Sequence, residues 1–234
     1  CIPGYDRRIW AIQSVPAFEQ QTGQDEITDG GISAIAGLES CPSEIFTGIR
    51  RRRMGQIKVE KNVGGIEGLC VIEPKVHLDE RGYFMESYNQ RDMQEAGFHV
   101  NFVQDNQSGS VKGVLRGLHY QKEYPQGKLV RVIRGAVFDV AVDIRKDSAT
   151  YGKWYGIELA EENRKQLDIP EGFAHGFLVL SDQAEFCYIC TDFYHPDDEG
   201  GIAWNDPTIN VAWPELDVPY RMSEKDKKWG RLGE

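Results

Sequence analysis

Residues 136–145 read Ala-Val-Phe-Asp-Val-Ala-Val-Asp-Ile-Arg, with an apolar side chain at every even position. Because the side chains of a β-strand point alternately to its two faces, these apolar groups share one face. The odd positions include Asp139, Asp143 and Arg145. The pattern predicts a half-buried antiparallel strand with its apolar face on the core.

Further short runs rich in Val, Ile, Phe and Tyr lie on both sides of this strand. Turn residues separate them, such as Pro-Gln-Gly at 125–127 and Pro-Glu-Gly at 170–172. The other strands predicted in this way are 69–72, 100–104, 111–118, 129–134, 153–159, 166–169, 176–180 and 184–190. Helix signals are confined to 90–96 and to 223–229, where Ser223 can cap. Many short strands with little helix predict an all-β sandwich or barrel, a jelly roll among them.

The chain divides at four consecutive arginines, positions 50–53, which precede Met54. Residues 1–53 show no sustained period of a strand or a helix, so we expect a poorly ordered or non-native N-terminal extension. A basic targeting or nucleic-acid patch at 50–53 is the alternative. The predicted folded domain therefore spans residues 54–234.

The charge balance and the cysteines narrow the class of protein. The 234 residues include 27 Lys and Arg against 37 Asp and Glu, a net charge of −10. This balance disfavours a non-specific nucleic-acid binder, which needs a basic face to neutralise phosphates. The longest apolar runs span a few residues, so we expect neither a membrane span nor a secretory leader. Five scattered cysteines, an odd number, indicate a reducing compartment such as the cytoplasm.

Two histidines stand out because they lie inside apolar segments. His119 is in Val-Leu-Arg-Gly-Leu-His-Tyr (114–120), and His175 is in Pro-Glu-Gly-Phe-Ala-His-Gly-Phe (170–177). A buried imidazole is costly unless it is hydrogen-bonded or used, so a purely structural role stays open for each. Arg116 and Lys128 also lie in strand-like segments, where an anionic ligand such as a diphosphate would supply their partner.

The sequence lacks the common motifs of metal and nucleotide sites. A mononuclear metal barrel needs His-x-His, but Tyr120 and Gln121 follow His119, so we expect no metal and no cofactor. Cys187 and Cys190 are spaced so that a strand places them on opposite faces, and we interpret both as core residues. Neither Gly-x-Gly-x-x-Gly nor a Walker loop occurs, so a bound nucleotide is not held by a helix N-terminus.

Strand parity makes two further predictions. In 184–190 the side chains of Phe186, Tyr188 and Cys190 share a face, and a tyrosine on an inner face must satisfy its hydroxyl. A regular strand would put Arg116 and His119 on opposite faces. Gly117 between them is a candidate β-bulge that re-aims one of them.

From about Met54 onward the chain closely resembles the dTDP-4-dehydrorhamnose 3,5-epimerase family. The resemblance rests on segments that occur in the order and spacing of that family. They are Glu-Pro-Lys (73–75), Asp-Glu-Arg-Gly-Tyr-Phe-Met-Glu-Ser-Tyr-Asn (79–89), Phe-Val-Gln-Asp-Asn (102–106), Val-Leu-Arg-Gly-Leu-His (114–119), Gln-Gly-Lys-Leu-Val-Arg (126–131), Phe-Asp-Val-Ala-Val-Asp-Ile-Arg (138–145), Ile-Pro-Glu-Gly-Phe-Ala-His-Gly-Phe (169–177) and Ile-Ala-Trp-Asn-Asp (202–206).

The resemblance implies a cupin-like jelly roll, a homodimer and a metal-free isomerase. The implied substrate is a thymidine-diphosphate 4-keto-6-deoxy sugar, inverted at C3 and C5 on the way to dTDP-L-rhamnose for surface polysaccharides. By this resemblance His119 is the general base, Asp226 orients it, Tyr188 is the general acid and Lys128 lies beside the C4 oxygen. The implied substrate contacts are Arg81, Glu86, Gln104, Asn106, Arg116, His175, Tyr194, Glu199 and Lys225.

Three alternatives stay open at this stage. A relative with the same fold could epimerise one carbon only or isomerise the keto sugar. A non-catalytic nucleotide-sugar-binding jelly roll is disfavoured, since a pure binder has no need of a base and an acid together. A metal oxygenase of similar architecture is disfavoured by the missing His-x-His.

Overall fold

The computed structural model describes residues 56–233, so the predicted extension at 1–53 and Met54 lie outside the described residues. The regular structure of the described part consists mainly of strands, with one short α-helix, α1 (Gln90–Glu95). The strands are β1 (Ile57–Lys61), β2 (Cys70–Pro74), β3 (Val76–Asp79), β4 (Gly82–Met85), β5 (Gln104–Val111), β6 (Leu115–Gln121), β7 (Lys128–Arg134), β8 (Ala136–Asp143), β9 (Trp154–Ala160), β10 (Gln166–Ile169), β11 (Phe173–Val179), β12 (Gln183–Cys190) and β13 (Glu199–Gly201).

Two antiparallel sheets form the body of the jelly roll. The first has six strands in the order β1-β2-β10-β7-β12-β5, and the second has five in the order β13-β6-β11-β8-β9. Strands β3 and β4 form a separate two-stranded hairpin. This architecture confirms the all-β jelly-roll prediction.

The main core lies between the two sheets. Val130 and Phe186 of the six-stranded sheet belong to the same apolar cluster as Val137 and Phe177 of the five-stranded sheet. The rings of Phe177 and Phe186 stack with centroids 4.3 Å apart, which joins β11 to β12 across the interior. Interdigitation of two inner faces in this way is what holds a β-sandwich together.

Strand β8 corrects the prediction made from 136–145. The strand is antiparallel as predicted, but it is buried on both faces rather than on one. Its odd positions Val137 and Ala141 belong to the main core, while Val140 and Val142 pack in a second cluster. That second cluster includes residues after β13, such as Ile209, so the C-terminal segment covers the apolar even face, whereas the odd face expected to meet solvent lies in the main core between the sheets.

Several predicted boundaries also change. The expected strand at 100–104 begins only at its last residue, because β5 runs through the polar sequence from Gln104 to Val111. The expected strand at 111–118 contains the turn between β5 and β6. The helix at 90–96 is confirmed as α1, whose N-cap Asn89 accepts hydrogen bonds from two backbone amides.

The predicted C-terminal helix at 223–229 is a single 3-10 turn, Asp226–Lys228. Ser223 does accept a hydrogen bond from the Asp226 amide, at 3.0 Å. The chain then becomes extended at Trp229, and the carbonyl of Gly230 accepts a hydrogen bond from the Ala203 amide. The segment therefore folds back against β13 instead of continuing as a helix. Within residues 56–233, no helix is both long and apolar enough to cross a membrane.

Candidate active site

Side chains from both sheets line a cavity of about 220 Å3. Strands β5, β7 and β12 contribute from one sheet, and strands β6 and β13 contribute from the other. The lining residues are Gln104, Asn106, His119, Tyr120, Gln121, Gln126, Lys128, Tyr188, Tyr194 and Glu199. Seven residues singled out in the sequence therefore meet at one place.

His119 forms a close pair with Asp226, which lies 107 residues further along the chain. The His119 Nε2 atom is 2.5 Å from Oδ1 of Asp226. A carboxylate only accepts hydrogen bonds, so Nε2 carries the proton and Nδ1 of a neutral ring keeps its lone pair. The carboxyl is buried, which by itself raises its pKa, but the hydrogen bond and charge of His119 hold the pKa of Asp226 below its usual value. A base oriented by an ionised carboxylate is the result.

A β-bulge in β6 sets the direction of His119. His175 of β11 pairs with His119, and Phe177 pairs with Arg116, so three steps along β6 match two along β11. The extra residue changes the parity between Arg116 and His119, as expected of the bulge predicted at Gly117. Gly117 has a φ of 130°, and a Cβ there would lie 2.5 Å from the Gly176 backbone, so only glycine fits.

Lys128, the first residue of β7, brings a cation to the cavity. Burial lowers the pKa of its ammonium group, while the nearby Cys190, Asp139 and Glu199 oppose that shift. Such a fixed cation in a sheltered site suits the stabilisation of a developing oxyanion.

Tyr188 reaches the cavity from β12, on the sheet opposite His119. Its ring lies 6.0 Å from that of Phe186, consistent with the shared face that parity predicted. Burial raises the pKa of its phenol above the ordinary value, and Cys190 adds to this. The phenol therefore stays protonated well above neutral pH and can donate a proton.

Glu199, Tyr194 and Lys225 form a hydrogen-bonded group at the cavity. The Glu199 carboxylate accepts from the Tyr194 hydroxyl at 2.7 Å and from the Lys225 ammonium at 2.5 Å. Burial would raise the pKa of Glu199, but these two donors and His119 keep it below its usual value. The group is therefore an ionised carboxylate with two fixed donors.

Three lining residues were not predicted as site residues from the sequence: Tyr120, Gln121 and Gln126. Gln121 is buried and connects two loops, since its amide donates to the carbonyls of Tyr124 and Phe193. Its oxygen accepts from the His195 amide at 2.7 Å. Its inward position on β6 follows from the same bulge as that of His119, which sequence parity alone does not show.

Arg116 and His175 lie near the cavity without lining it. The Arg116 guanidinium donates to the Ser110 hydroxyl at 3.1 Å and borders a neighbouring cleft with Arg134. His175 is buried and donates through Nε2 to Asp139, at 2.9 Å from Oδ2. Neither contact tests the substrate role predicted for Arg116 and His175, so each role stays a prediction.

Arg81 and Glu86 are two further predicted site residues that do not line this cavity. Arg81 lies at the turn of the β3–β4 hairpin and pairs with Asp79, and its side chain is exposed. Glu86 accepts a hydrogen bond from the Asn89 side chain next to α1. Neither residue lines the cavity of its own chain.

The arrangement of these side chains is suited above all to proton transfer. A histidine–carboxylate pair and a protonated tyrosine reach one cavity from opposite sheets, and a lysine on β7 comes from the same sheet as the tyrosine. A base and an acid on opposite sides of a bound ring can remove a proton from one face and return one to the other. The fold and this cavity define a jelly-roll enzyme of the acid–base class.

Comparison with known proteins identifies the family. The sequence model of dTDP-4-dehydrorhamnose 3,5-epimerase matches residues 64–234, and the chain belongs to this family. The enzyme of that name from Shigella flexneri is 60% identical over 175 residues, 74% of this chain and 93% of its own. The one from Methanothermobacter thermautotrophicus is 58% identical over 170 residues, 72% of this chain and 92% of its own.

A solved structure is similar over the same region. It is dTDP-6-deoxy-D-glucose-3,5-epimerase from Legionella pneumophila, in complex with dTDP-4-keto-L-rhamnose. The TM-score is 0.72 at 49% sequence identity, and the match covers 76% of this chain and 93% of that one. Fold and family therefore agree.

Proposed function

We propose that this protein converts dTDP-4-dehydro-6-deoxy-D-glucose to dTDP-4-dehydro-L-rhamnose by inverting C3 and C5. The observation that carries this proposal is the placement of the His119–Asp226 pair and Tyr188 on opposing sheets of one cavity that also holds Lys128. Protons at C3 and C5 are both α to the C4 ketone, so loss of either gives an enolate at the same oxygen. One cation can therefore serve both inversions.

Each residue has a distinct part in the proposed mechanism. Nδ1 of His119 takes the proton from carbon, and Asp226 stabilises the imidazolium that forms. Lys128 stabilises the enolate oxygen, and Tyr188 returns a proton to the opposite face of the ring. Gln104, Asn106 and the group formed by Glu199, Tyr194 and Lys225 hold the sugar nucleotide. Arg116 binds the diphosphate, for which its exposed guanidinium is suited.

The decisive experiment is proton NMR in deuterated water with the 4-keto-6-deoxyglucose nucleotide as substrate. We expect two deuteriums in the product, one at C3 and one at C5, together with inversion at both carbons. Incorporation at one carbon alone would identify a single-centre epimerase instead. No incorporation would leave a binding protein and contradict the proposal.

We expect activity to survive dialysis against EDTA. Among residues 56–233 no three His, Cys, Asp or Glu side chains cluster as metal ligands. If Lys128 stabilises the enolate oxygen as a Lewis-acidic metal would, turnover does not need a metal. Chelation should then leave turnover unchanged. Turnover and metal content should be measured before and after dialysis; about one transition metal per chain, with activity lost on its removal, would overturn the prediction.

The protein acts as a homodimer in this proposal. The β3–β4 hairpin exposes Leu78, Tyr83 and Phe84, at 76%, 57% and 56%. A lone two-stranded hairpin is marginal in water, and exposed apolar side chains mark contact surfaces. Packing of this hairpin on a second copy would account for Arg81, a predicted substrate contact outside its own chain's cavity.

Subunit mixing tests whether Arg81 acts in the partner's cavity. Arg81→Ala and His119→Ala should each be nearly inactive alone. After subunit exchange half of the dimers are mixed and each has one intact site, so about a quarter of wild-type activity should return. Sedimentation should show a dimer for each protein. A monomer, or no recovery on mixing, would contradict the shared site.

The proposed location is the cytoplasm. Cys70, Cys187 and Cys190 are free thiols and all three are buried. Burial raises the pKa of each thiol, which keeps these groups in the unreactive protonated form. Thiols of this kind are typical of proteins in a reducing compartment.

A further inference from the structure

A second cavity, of about 510 Å3, lies on the side of the six-stranded sheet that faces away from the main core. Strands β2 and β10 contribute Cys70 and Asp168, and the connection between α1 and β5 contributes Phe98 and Phe102. This cavity exceeds the 220 Å3 catalytic cavity in volume and differs from it in character, because aromatic and aliphatic groups form much of its wall.

Asp168 is the unusual group in this cavity. Its neighbours Leu167 and Ile169 belong to the main core, so alternation points the Asp168 side chain to the opposite face of β10. The residue is 8% exposed, and its carboxyl has no hydrogen bond or ion pair with any of residues 56–233. Burial raises its pKa to about 7. The carboxyl oxygens open on the cavity and are not sealed from solvent, so a donor that enters the cavity can pair with them at a partly desolvated site.

Three other polar groups of the cavity already have partners. The Cys70 thiol donates to the Gly68 carbonyl at 3.3 Å, and the Lys61 ammonium donates to the Ala96 carbonyl at 2.8 Å. The exposed Glu171 carboxylate accepts from the Thr191 hydroxyl at 3.2 Å. The cavity therefore presents Asp168 as an unpartnered acid against a largely apolar wall, with His99 and with Lys128, which the catalytic cavity shares, at its border.

That combination selects a type of ligand. An anion would meet Asp168 without compensation, and a purely apolar molecule would leave its carboxyl unpartnered. A protonated amine supplies the missing hydrogen-bond donor and charge. The aromatic rings nearby can contact both the cation and the apolar part of such a ligand. The Lys61 ammonium already lies 5.9 Å from the centre of the Phe98 ring.

We propose that this cavity binds a small organic amine, with its ammonium group on Asp168 and its apolar body against Phe98 and Phe102. Lys128 borders both this cavity and the catalytic one, but Asp168, Phe98 and Phe102 have no part in the proposed reaction, so the proposal does not depend on that function. The cavity volume accommodates a ligand with one aromatic ring and a short alkylamine chain.

Calorimetric titration with 2-phenylethylamine at pH 8 tests the proposal on the full chain. The neutral analogue 2-phenylethanol has nearly the same shape and should bind at least about tenfold more weakly, since it brings no charge to Asp168. This comparison needs no variant. Equal affinity for the two compounds, or no binding of the amine at millimolar concentration, would overturn the proposal.

The pH dependence has a defined sign. A cation prefers the ionised carboxyl, and with a pKa of about 7 the ionised fraction of Asp168 rises from about a tenth at pH 6 to about nine tenths at pH 8. Amine affinity should therefore rise about tenfold across that range. The other titratable groups that border the cavity are Lys61, Cys70, His99, Lys128 and Glu171.

Two variants separate Asp168 from these neighbours. Asp168→Asn keeps the shape and should lose both the preference for the amine and the rise in affinity with pH. Its thermal midpoint at pH 8 should be no lower than that of the wild type, because it removes an unpartnered buried charge. Glu171→Gln is the matched control and should change amine affinity less than about twofold, because an exposed pair contributes little. Amine binding retained in Asp168→Asn would assign the cation to another group and refute the proposal.

Discussion

Replacing His119 with alanine should abolish deuterium incorporation at both C3 and C5. Without the Nδ1 lone pair of His119, the cavity has lost the base that Asp226 orients, and neither carbon can lose its proton. A general base is typically worth about 10²–10⁴-fold, so turnover should fall by at least that range. Single-turnover NMR in deuterated water measures exchange and inversion in the same sample.

Two further variants test whether the loss is specific to the base. Asp226→Asn keeps His119 but removes the acceptor that fixes its tautomer, so both exchanges should slow together without vanishing. His195→Ala removes a ring that stacks on Tyr124 at 4.3 Å and does not line the cavity, and it should leave exchange nearly unchanged. Wild-type deuterium incorporation in His119→Ala would show that another group is the base.

The fold class was predictable because alternation is a local signal. The apolar positions of 136–145 and the short runs around them indicate strands wherever a strand packs on the core. Burial of the odd face of β8 in the main core was not predictable, because Asp139 and Asp143 give that face a polar sequence, and the even face packs instead against residues such as Ile209 from far along the chain. A local pattern shows which side chains share a face, but it does not show what packs against that face.

Strand β5 shows where hydrophobic patterning fails. Its sequence from Gln104 to Val111 has only one apolar residue, yet it pairs with β12 over its full length. Its alternate residues Gln104 and Asn106 line the cavity, so a ligand takes the place that apolar side chains have in an ordinary sandwich. The sequence of a strand that lines a polar cavity therefore lacks the apolar alternation of a strand, and it resembles the sequence of a loop.

The site was predictable only in part, because contacts between residues far apart in the chain are not visible in the local sequence. The segments quoted from the chain carry the resemblance that picked out His119, Tyr188 and Asp226. Their meeting depends on the bulge at Gly117 and on the 3-10 turn that carries Asp226, and no single-strand pattern encodes either contact. Asp168 lies in the strand predicted at 166–169, but no sequence pattern marks it as a site, because its lack of a partner is a property of the packed structure.

Tyr188→Phe should separate exchange from inversion. The substitution keeps the ring packed near Phe186 and leaves the His119–Asp226 pair intact, so the first proton can still leave carbon and be replaced from solvent. Inversion needs a donor on the opposite face, and the buried phenol, with its raised pKa, is that donor in the proposed mechanism.

The measured quantity is the ratio of deuterium exchange to inversion at each carbon. In Tyr188→Phe net inversion should fall by about 10²–10⁴-fold while exchange falls much less, so the ratio rises. Tyr194→Phe is the matched control, because this tyrosine lines the same cavity but donates to Glu199. That variant should weaken substrate binding and leave the ratio near its wild-type value. If exchange and inversion fell together in Tyr188→Phe, the phenol would act before proton loss, and the donor on the second face would have to be another group.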